Sequence, residues 1–238
     1  MQVLILAGGL GTRLRAVVSD RPKPMADVGD RPFLAYLIDQ VRDQGFDDLV
    51  LCTGYMADQV RDYFGNGSRW QVSIRHSVET ERLGTAGAVK HAQSLIDGTC
   101  LVMNGDSYVD ADLLGLVAAH REARTADPST IGTLLTVHMT QAAAYGTLDL
   151  DEQGCVREFR EKASSASGWI NAGVYVLEPQ FLDQIPAGCA VSIERETFPS
   201  LLDGGWRLFS QPTQGFFVDI GTPEGYRRFQ QYMEEQRA

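Results

Sequence analysis

From Val3 to Arg124 the chain alternates short apolar runs with segments of helical period, and few architectures accept that order of elements. The apolar runs are Val3–Leu6, Asp48–Thr53, Gln71–His76 and Thr99–Asn104, each of strand length. Phe33–Gln44, Met56–Phe64 and Ala86–Leu95 lie between them, and Ala111–Arg124 follows the fourth. In Phe33–Gln44 the residues Phe33, Leu34, Leu37, Ile38 and Val41 fall on one helical face. Strand–helix–strand order makes crossover connections, and those give parallel strands covered on both faces. The pattern therefore predicts an α/β fold with a mostly parallel sheet flanked by helices.

After residue 130 the pattern changes to strands joined by turns: Ile131–His138, Gly146–Leu150, Cys155–Arg160 and Trp169–Leu177. Asp151–Gly154 (DEQG) reads as the turn of a local hairpin. Two short strands, Arg207–Ser210 and Phe216–Asp219, precede a closing amphipathic helix, Pro223–Gln236, with Pro223 in its first turn. No repeat or linker divides the chain. It reads as one domain over 1–238, with a mixed sheet and a small β-rich subregion in the half from 131 to 238.

The net charge of −10 opposes a nucleic-acid-binding surface, which needs a broad cationic face. A pocket for a free nucleotide needs only a few local cations. Cys52, Cys100, Cys155 and Cys189 are widely spaced, and the histidines show no HxxxH or HExxH spacing. The expectation is a reduced, cytoplasmic protein without structural zinc. The N-terminus lacks a basic region before its apolar run, and no apolar stretch approaches the roughly 20 residues that span a bilayer.

In open α/β sheets ligands bind beyond the carboxyl ends of the strands. That rule selects AGGLGTR after Leu6, SVETERLGTAG after His76 and GDSYVD after Asn104. The first fits neither GxxxxGK[ST] nor GxGxxG. Its glycines still let backbone N–H groups approach an anion, and Arg13 adds a planar charged fork. Lys23, held between Pro22 and Pro24, adds a point charge with a stiffened backbone. Glycines alone would equally suit a tight turn; with Arg13 and Lys23 they point to phosphate. Asp106 lies just past a strand end and could hold Mg²⁺, which takes one or two carboxylates together with substrate phosphates. Asp219, in FVDIGTP, is a second such carboxylate, and the two could converge at the sheet edge. Asp110 and Asp112 read as helix caps. Glu161 and Lys162 end VREFREK; Lys162 could meet a second phosphate and Glu161 hydroxyl groups. Asn171 is a polar amide in an apolar strand, and a sugar hydroxyl is one partner it could find.

LAGGLGTRL with RPKPM, then LGTAGA, NGD, EK, NAG and VDIGTP, follow in this order along almost the whole chain. Together they resemble the sugar-1-phosphate nucleotidyltransferases, whose fold is Rossmann-like (GT-A-like). The resemblance implies transfer of a nucleotidyl group from an NTP to a sugar 1-phosphate, with Mg²⁺, giving an NDP-sugar and pyrophosphate. It implies that Leu6, Ala7, Gly8, Gly9, Gly11 and Thr12 hold the nucleotide, with Gly105 beside them and Gly84 and Thr85 near the base. Arg13, Lys23 and Asp106 would be catalytic, and Asp106 and Asp219 would hold the metal. Gly146, Glu161 and Asn171 would hold the sugar, and Lys162 its phosphate. Residues 1–130 would then form the nucleotide-binding half and 131–238 the sugar-phosphate half. The nucleophile is an anionic phosphate oxygen, so no general base is needed.

Within that family, RAVVSD and PFLAYLI are most similar to the D-glycero-α-D-manno-heptose 1-phosphate guanylyltransferases. Guanine offers two adjacent donors, N1–H and the N2 amino group, which a carboxylate can read; Glu79 or Glu81 could supply it. Uridylyl or thymidylyl transfer to a hexose or amino-sugar 1-phosphate is the alternative in the same class. A silent nucleotide-sugar-binding regulatory homologue would be expected to lose Arg13, Lys23 or an Asp, and all are present. The chain closes after one helix without the hexapeptide repeats of bifunctional acetyltransferase members, so a transferase alone is expected, as a monomer or homo-oligomer.

Overall fold

The computed structural model describes residues 1–9, 14, 20–142, 145–160 and 167–237. In chain order the elements are β1 (Val3–Leu6), β2 (Asp27–Val28), β3 (Arg31–Pro32), α1 (Phe33–Asp43), β4 (Asp48–Thr53), α2 (Ala57–Phe64), β5 (Ser73–Val78), α3 (Gly84–His91), β6 (Cys100–Asn104), β7 (Ser107–Val109) and α4 (Leu113–Ala126). There follow β8 (Thr130–Met139), β9 (Thr147–Leu150), β10 (Val156–Arg160), β11 (Gly168–Leu177), α5 (Phe198–Asp203), β12 (Arg207–Thr213), β13 (Phe217–Asp219) and α6 (Pro223–Arg237). No helix among the described residues is long and apolar enough to cross a membrane.

The main sheet runs β10-β9-β11-β6-β1-β4-β5, and β8 and β12 join it through β11. β6, β1, β4 and β5 are parallel, while β11 lies antiparallel to β6. One mixed sheet thus passes through both halves of the chain, and the β-rich subregion is its extension rather than a separate layer. Strand alternation sends Val3 and Ile5 into one core and Leu4 into the other. The first core receives α1, α2, α4 and α6 through residues such as Phe33, Val60, Leu116 and Phe229. The second receives α3 and α5 through Val89 and Phe198. Both faces are therefore covered, and each fully buried Leu, Ile or Phe contributes roughly 1.5–3 kcal/mol.

Several elements differ from the sequence expectation, among them the short β2, β3 and α5, for which no element was expected. The third strand occupies Ser73–Val78 rather than Gln71–His76, because Gln71 has φ 60 and Val72 N–H turns back to the Gly67 carbonyl. β7 was not expected, and it pairs antiparallel with β13. Ile193–Thr197 forms a π-helical turn leading into α5, over residues that carry no clear hydrophobic period. Asp112 does cap α4, accepting from Gly115 N at 2.8 Å, but Asp110 does not cap it. The Asp110 carboxylate instead accepts from the Tyr232 hydroxyl at 3.0 Å and so ties α6 to the loop before α4.

Candidate functional site

β1, β4, β5 and β6 end side by side, and their trailing residues build one rim. Ala7 N–H donates to the Cys52 carbonyl at 2.7 Å, and Gly105 N–H donates to the Leu6 carbonyl at 3.0 Å. The chain after β6 passes so close to the chain after β1 that a Cβ on Gly105 would lie 2.7 Å from that same oxygen. Glycine is needed there for backbone approach. A cleft of about 340 Å³ opens at this rim, floored by Leu6, Gly8, Gly9 and Asn104 and walled by Glu79, Gly84 and Thr85.

Lys23 stands in a single 3-10 turn, Lys23–Met25, entered from Pro22 with φ −65. Its side chain is 6% exposed, and Nζ lies 2.8 Å from Asp106 Oδ2 and 3.2 Å from Asp219 Oδ1. The two carboxylates converge because β7 pairs with β13, placing Asp219 opposite Ser107. Ile220 N–H then donates to the Asp106 carbonyl at 3.0 Å, locking the two strand ends together. A buried ammonium is costly unless ion-paired, and here two carboxylates pair with it. Their oxygens meet around the Lys23 ammonium, and two such carboxylates are also the donor type of a small hard cation that takes its remaining ligands from phosphate and water. No cluster of three or more metal-ligating side chains occurs among the described residues, so the protein would supply only part of a coordination shell.

Glu79 follows β5 directly, its N–H donating to the Thr53 carbonyl at 2.8 Å. Its carboxylate accepts from Leu83 N at 3.2 Å and packs against Gly8 and Gly54. A Cβ on Gly8 would run into Oε1 of Glu79. Burial raises the Glu79 carboxyl above its ordinary value, against the Leu83 N–H that lowers it. Of the two acids weighed for base reading, Glu79 lines the cleft; Glu81 is exposed and does not. Gly84 opens α3 with φ 69, and any Cβ there would collide with the Val191 carbonyl oxygen.

A second cleft of about 420 Å³ adjoins the first and shares Asn104 and Asp106 with it. Gly146 and Asn171, expected to hold the sugar, and Asp219, expected to hold the metal, line it. Asn171 sits where the β11 ladder shifts register, with Gly173 at φ 76. A bulge at this place turns the amide out of the ladder. The partners of that amide are internal: Asn171 Oδ1 accepts from Gly173 N at 2.8 Å and Nδ2 donates to the Tyr175 hydroxyl at 2.7 Å. The chain itself thus supplies a partner to each end of the amide, where the sequence pointed to a sugar hydroxyl.

Gly11, Thr12, Arg13, Glu161 and Lys162 lie outside the described residues. The sequence reading missed Asn104, Arg82 and Glu194. Asn104 lines both clefts, and its Oδ1 is buried without a hydrogen-bond partner among the described residues. Its place as the last residue of β6, before GD, was the available signal. Arg82 lines the first cleft and Glu194 the second, each in a charged run that resembles ordinary surface.

The chain matches the model of the family described as nucleotidyl transferase over residues 2–236. It is 32% identical to D-glycero-alpha-D-manno-heptose 1-phosphate guanylyltransferase of Campylobacter jejuni, covering 96% of this chain and 98% of that protein. It is 37% identical to mannose-1-phosphate guanylyltransferase of Mycobacterium tuberculosis, over 96% of this chain but only 63% of that protein. The structure of HddC from Yersinia pseudotuberculosis complexed with GMP-PN superposes with TM-score 0.84 at 32% identity, covering 98% of this chain and 99% of that one.

Proposed function

The chain belongs to the nucleotidyl transferase family, and we propose that it transfers a guanylyl group from GTP to D-glycero-α-D-manno-heptose 1-phosphate. The observation that carries this reading is the junction of the two clefts at Asn104 and Asp106. Two substrates seated in adjoining clefts can present a phosphate oxygen to a phosphorus at one shared point. The sugar-phosphate oxygen forms a bond to the α-phosphorus, and the bond from that phosphorus to the bridging oxygen of pyrophosphate breaks. The electron pair leaves with pyrophosphate, and no proton need move.

In this reading the backbone of Leu6 to Thr12 cradles the nucleotide, with Gly105 admitting the close approach. Glu79 accepts from guanine N1–H and N2, near Gly84 and Thr85. Lys23 and Arg13 steady the charge that shifts onto the leaving group. Gly146, Glu161 and Asn171 hold the sugar, and Lys162 its phosphate. Asp106 and Asp219 would hold Mg²⁺, which supplies charge neutralisation between the reacting phosphates when bound. Catalysis then rests on positioning and electrostatics.

Support for the heptose comes from similarity over the full length of the Campylobacter jejuni relative. Mannose 1-phosphate is the second reading, favoured by the 37% identity to the Mycobacterium tuberculosis enzyme. A pyrophosphate-release screen of ATP, CTP, GTP, UTP and dTTP against heptose, mannose and glucose 1-phosphates separates them. The expected result is fastest turnover with GTP and the heptose. Fastest turnover with mannose 1-phosphate would replace the sugar, and preference for UTP or dTTP would remove the guanylyl assignment.

A further inference from the structure

Between the two clefts runs a hydrogen-bonded chain whose every direction is set by the backbone. Gly173 N–H can only donate, so Asn171 presents Oδ1 to it and Nδ2 to Tyr175, at 2.8 and 2.7 Å. The Tyr175 oxygen, already accepting from Asn171, donates its hydrogen to Glu194 Oε1 at 2.9 Å. From the other side Ile193 N–H donates to Thr85 Oγ1 at 2.8 Å, leaving the Thr85 hydroxyl to donate to Glu194 Oε2 at 3.2 Å. Arg195 N–H likewise fills Ser192 Oγ at 3.2 Å, and that hydroxyl donates to the same Oε2 at 3.2 Å. Glu194 is thus the terminal acceptor of three hydroxyls on two oxygens. Both carboxylate oxygens are engaged as acceptors, and an amide in their place would oppose one hydrogen with another.

The ends of this chain are the residues that line the clefts. Thr85, in the first turn of α3, lines the first; Asn171 and Glu194 line the second. Asn104 is common to both clefts. Tyr175 itself is fully buried and reaches neither cleft. α3 cannot shift independently of Glu194, because Val191 grips its start through Leu83 O at 2.8 Å and Ala86 N at 3.0 Å.

We propose that Glu194 is a positioning residue that couples the two clefts, so that filling the nucleotide cleft organises Asn171 for the sugar phosphate. The proposal rests on the two-cleft reading above. A ligand that fixes Thr85 fixes the carboxylate, and through Tyr175 it fixes Asn171. The second ligand then meets an arm already ordered, which is positive cooperativity. By reciprocity the sugar phosphate tightens nucleotide binding by the same factor.

The test uses the NTP and sugar 1-phosphate that the wild-type chain turns over fastest in the screen. Calorimetric titration gives the Kd of that sugar 1-phosphate with and without the α,β-methylene analogue of that NTP, in Mg²⁺. We expect the analogue to tighten sugar-phosphate binding about tenfold in the wild type, within the usual range for coupled sites. Tyr175→Phe removes only the hydroxyl, and Glu194→Gln reverses one link; both are expected to reduce the effect to less than about twofold. The analogue's own Kd in Tyr175→Phe should stay near the wild-type value. A merely structural role would lower the melting temperature and weaken both ligands while leaving the ratio intact. An undiminished ratio in folded Tyr175→Phe, or no coupling in the wild type, overturns the proposal. Turnover of a pair other than GTP and heptose phosphate sinks that substrate assignment alone, and absence of turnover with every pair removes both.

Discussion

Glu79→Gln tests base recognition at the residue where the fold tolerates a charge at a cost. The carboxyl is half-buried, and burial raises its pKa, so holding the charge in the fold costs more than in the unfolded chain. Gln has nearly the same shape and can still accept from Leu83 N with its one carbonyl oxygen. Its amide then faces the cleft where guanine would offer two donors. One charge-assisted hydrogen bond is lost, about 1.5–3 kcal/mol, or roughly 10- to 150-fold in kcat/KM for GTP. ATP offers no such pair of donors at the same edge and should be penalised far less. The sign for stability is opposite. A folded pKa above the unfolded one means that the wild type carries a cost at neutral pH, absent once pH falls below the ordinary glutamate value. The variant should therefore be as stable as the wild type or slightly more so at neutral pH, with the difference vanishing as pH falls through that window. Pyrophosphate release with GTP and ATP, beside thermal unfolding at neutral and mildly acidic pH, measures both. An unchanged GTP-to-ATP preference in folded Glu79→Gln would refute base reading by this residue.

Lys23→Ala should keep its fold, since Asp106 is 43% exposed and water can take over its charge, while kcat falls by about 10²- to 10³-fold. Near-normal turnover in purified Lys23→Ala would contradict a role for the ammonium in charge stabilisation. Asp106→Asn should weaken Mn²⁺ binding, read by electron paramagnetic resonance in the presence of nucleotide; unaltered binding would exclude Asp106 as a metal ligand. Gly105→Ala should cost about 1–3 kcal/mol in denaturant unfolding, because the atoms its Cβ meets are Leu6 O at 2.7 Å and Ala7 Cα at 3.2 Å, both backbone. His120, buried between Thr133 Oγ1 and Glu178 Oε1 at 2.9 Å each, has its pKa lowered chiefly by burial. Its contribution is complete above the ordinary histidine value and is lost as pH falls from there toward the lowered one. His120→Gln should lack that loss, so equal slopes of unfolding free energy against pH in variant and wild type would count against it.

The helices and strands of the first half were legible because their signals are local. Phe33 to Val41 repeat at helical spacing, and β4 is bounded as its apolar run suggests. The strand-end rule also located Gly105, Asp106 and Glu79, since it depends only on where a parallel strand stops. Convergence of Asp106 with Asp219 was harder to read. It depends on the pairing of β7 with β13, strands of three residues whose register no periodicity encodes. Arg13 and Lys162 rest on sequence alone, because both lie outside the described residues. Glu194 was illegible for a different reason. It lies in the run Glu194-Arg195-Glu196, which looks like solvated surface, yet its carboxylate collects hydrogen bonds from Tyr175, Thr85 and Ser192. Lys23 and the glycines stand out in a sequence because residues of those types are rare at such spacing after an apolar strand. Glu194 is held by the chain itself, and two of its three partners lie 19 and 109 residues away, so its place becomes visible only when β11 and α3 are seen packed against the same turn.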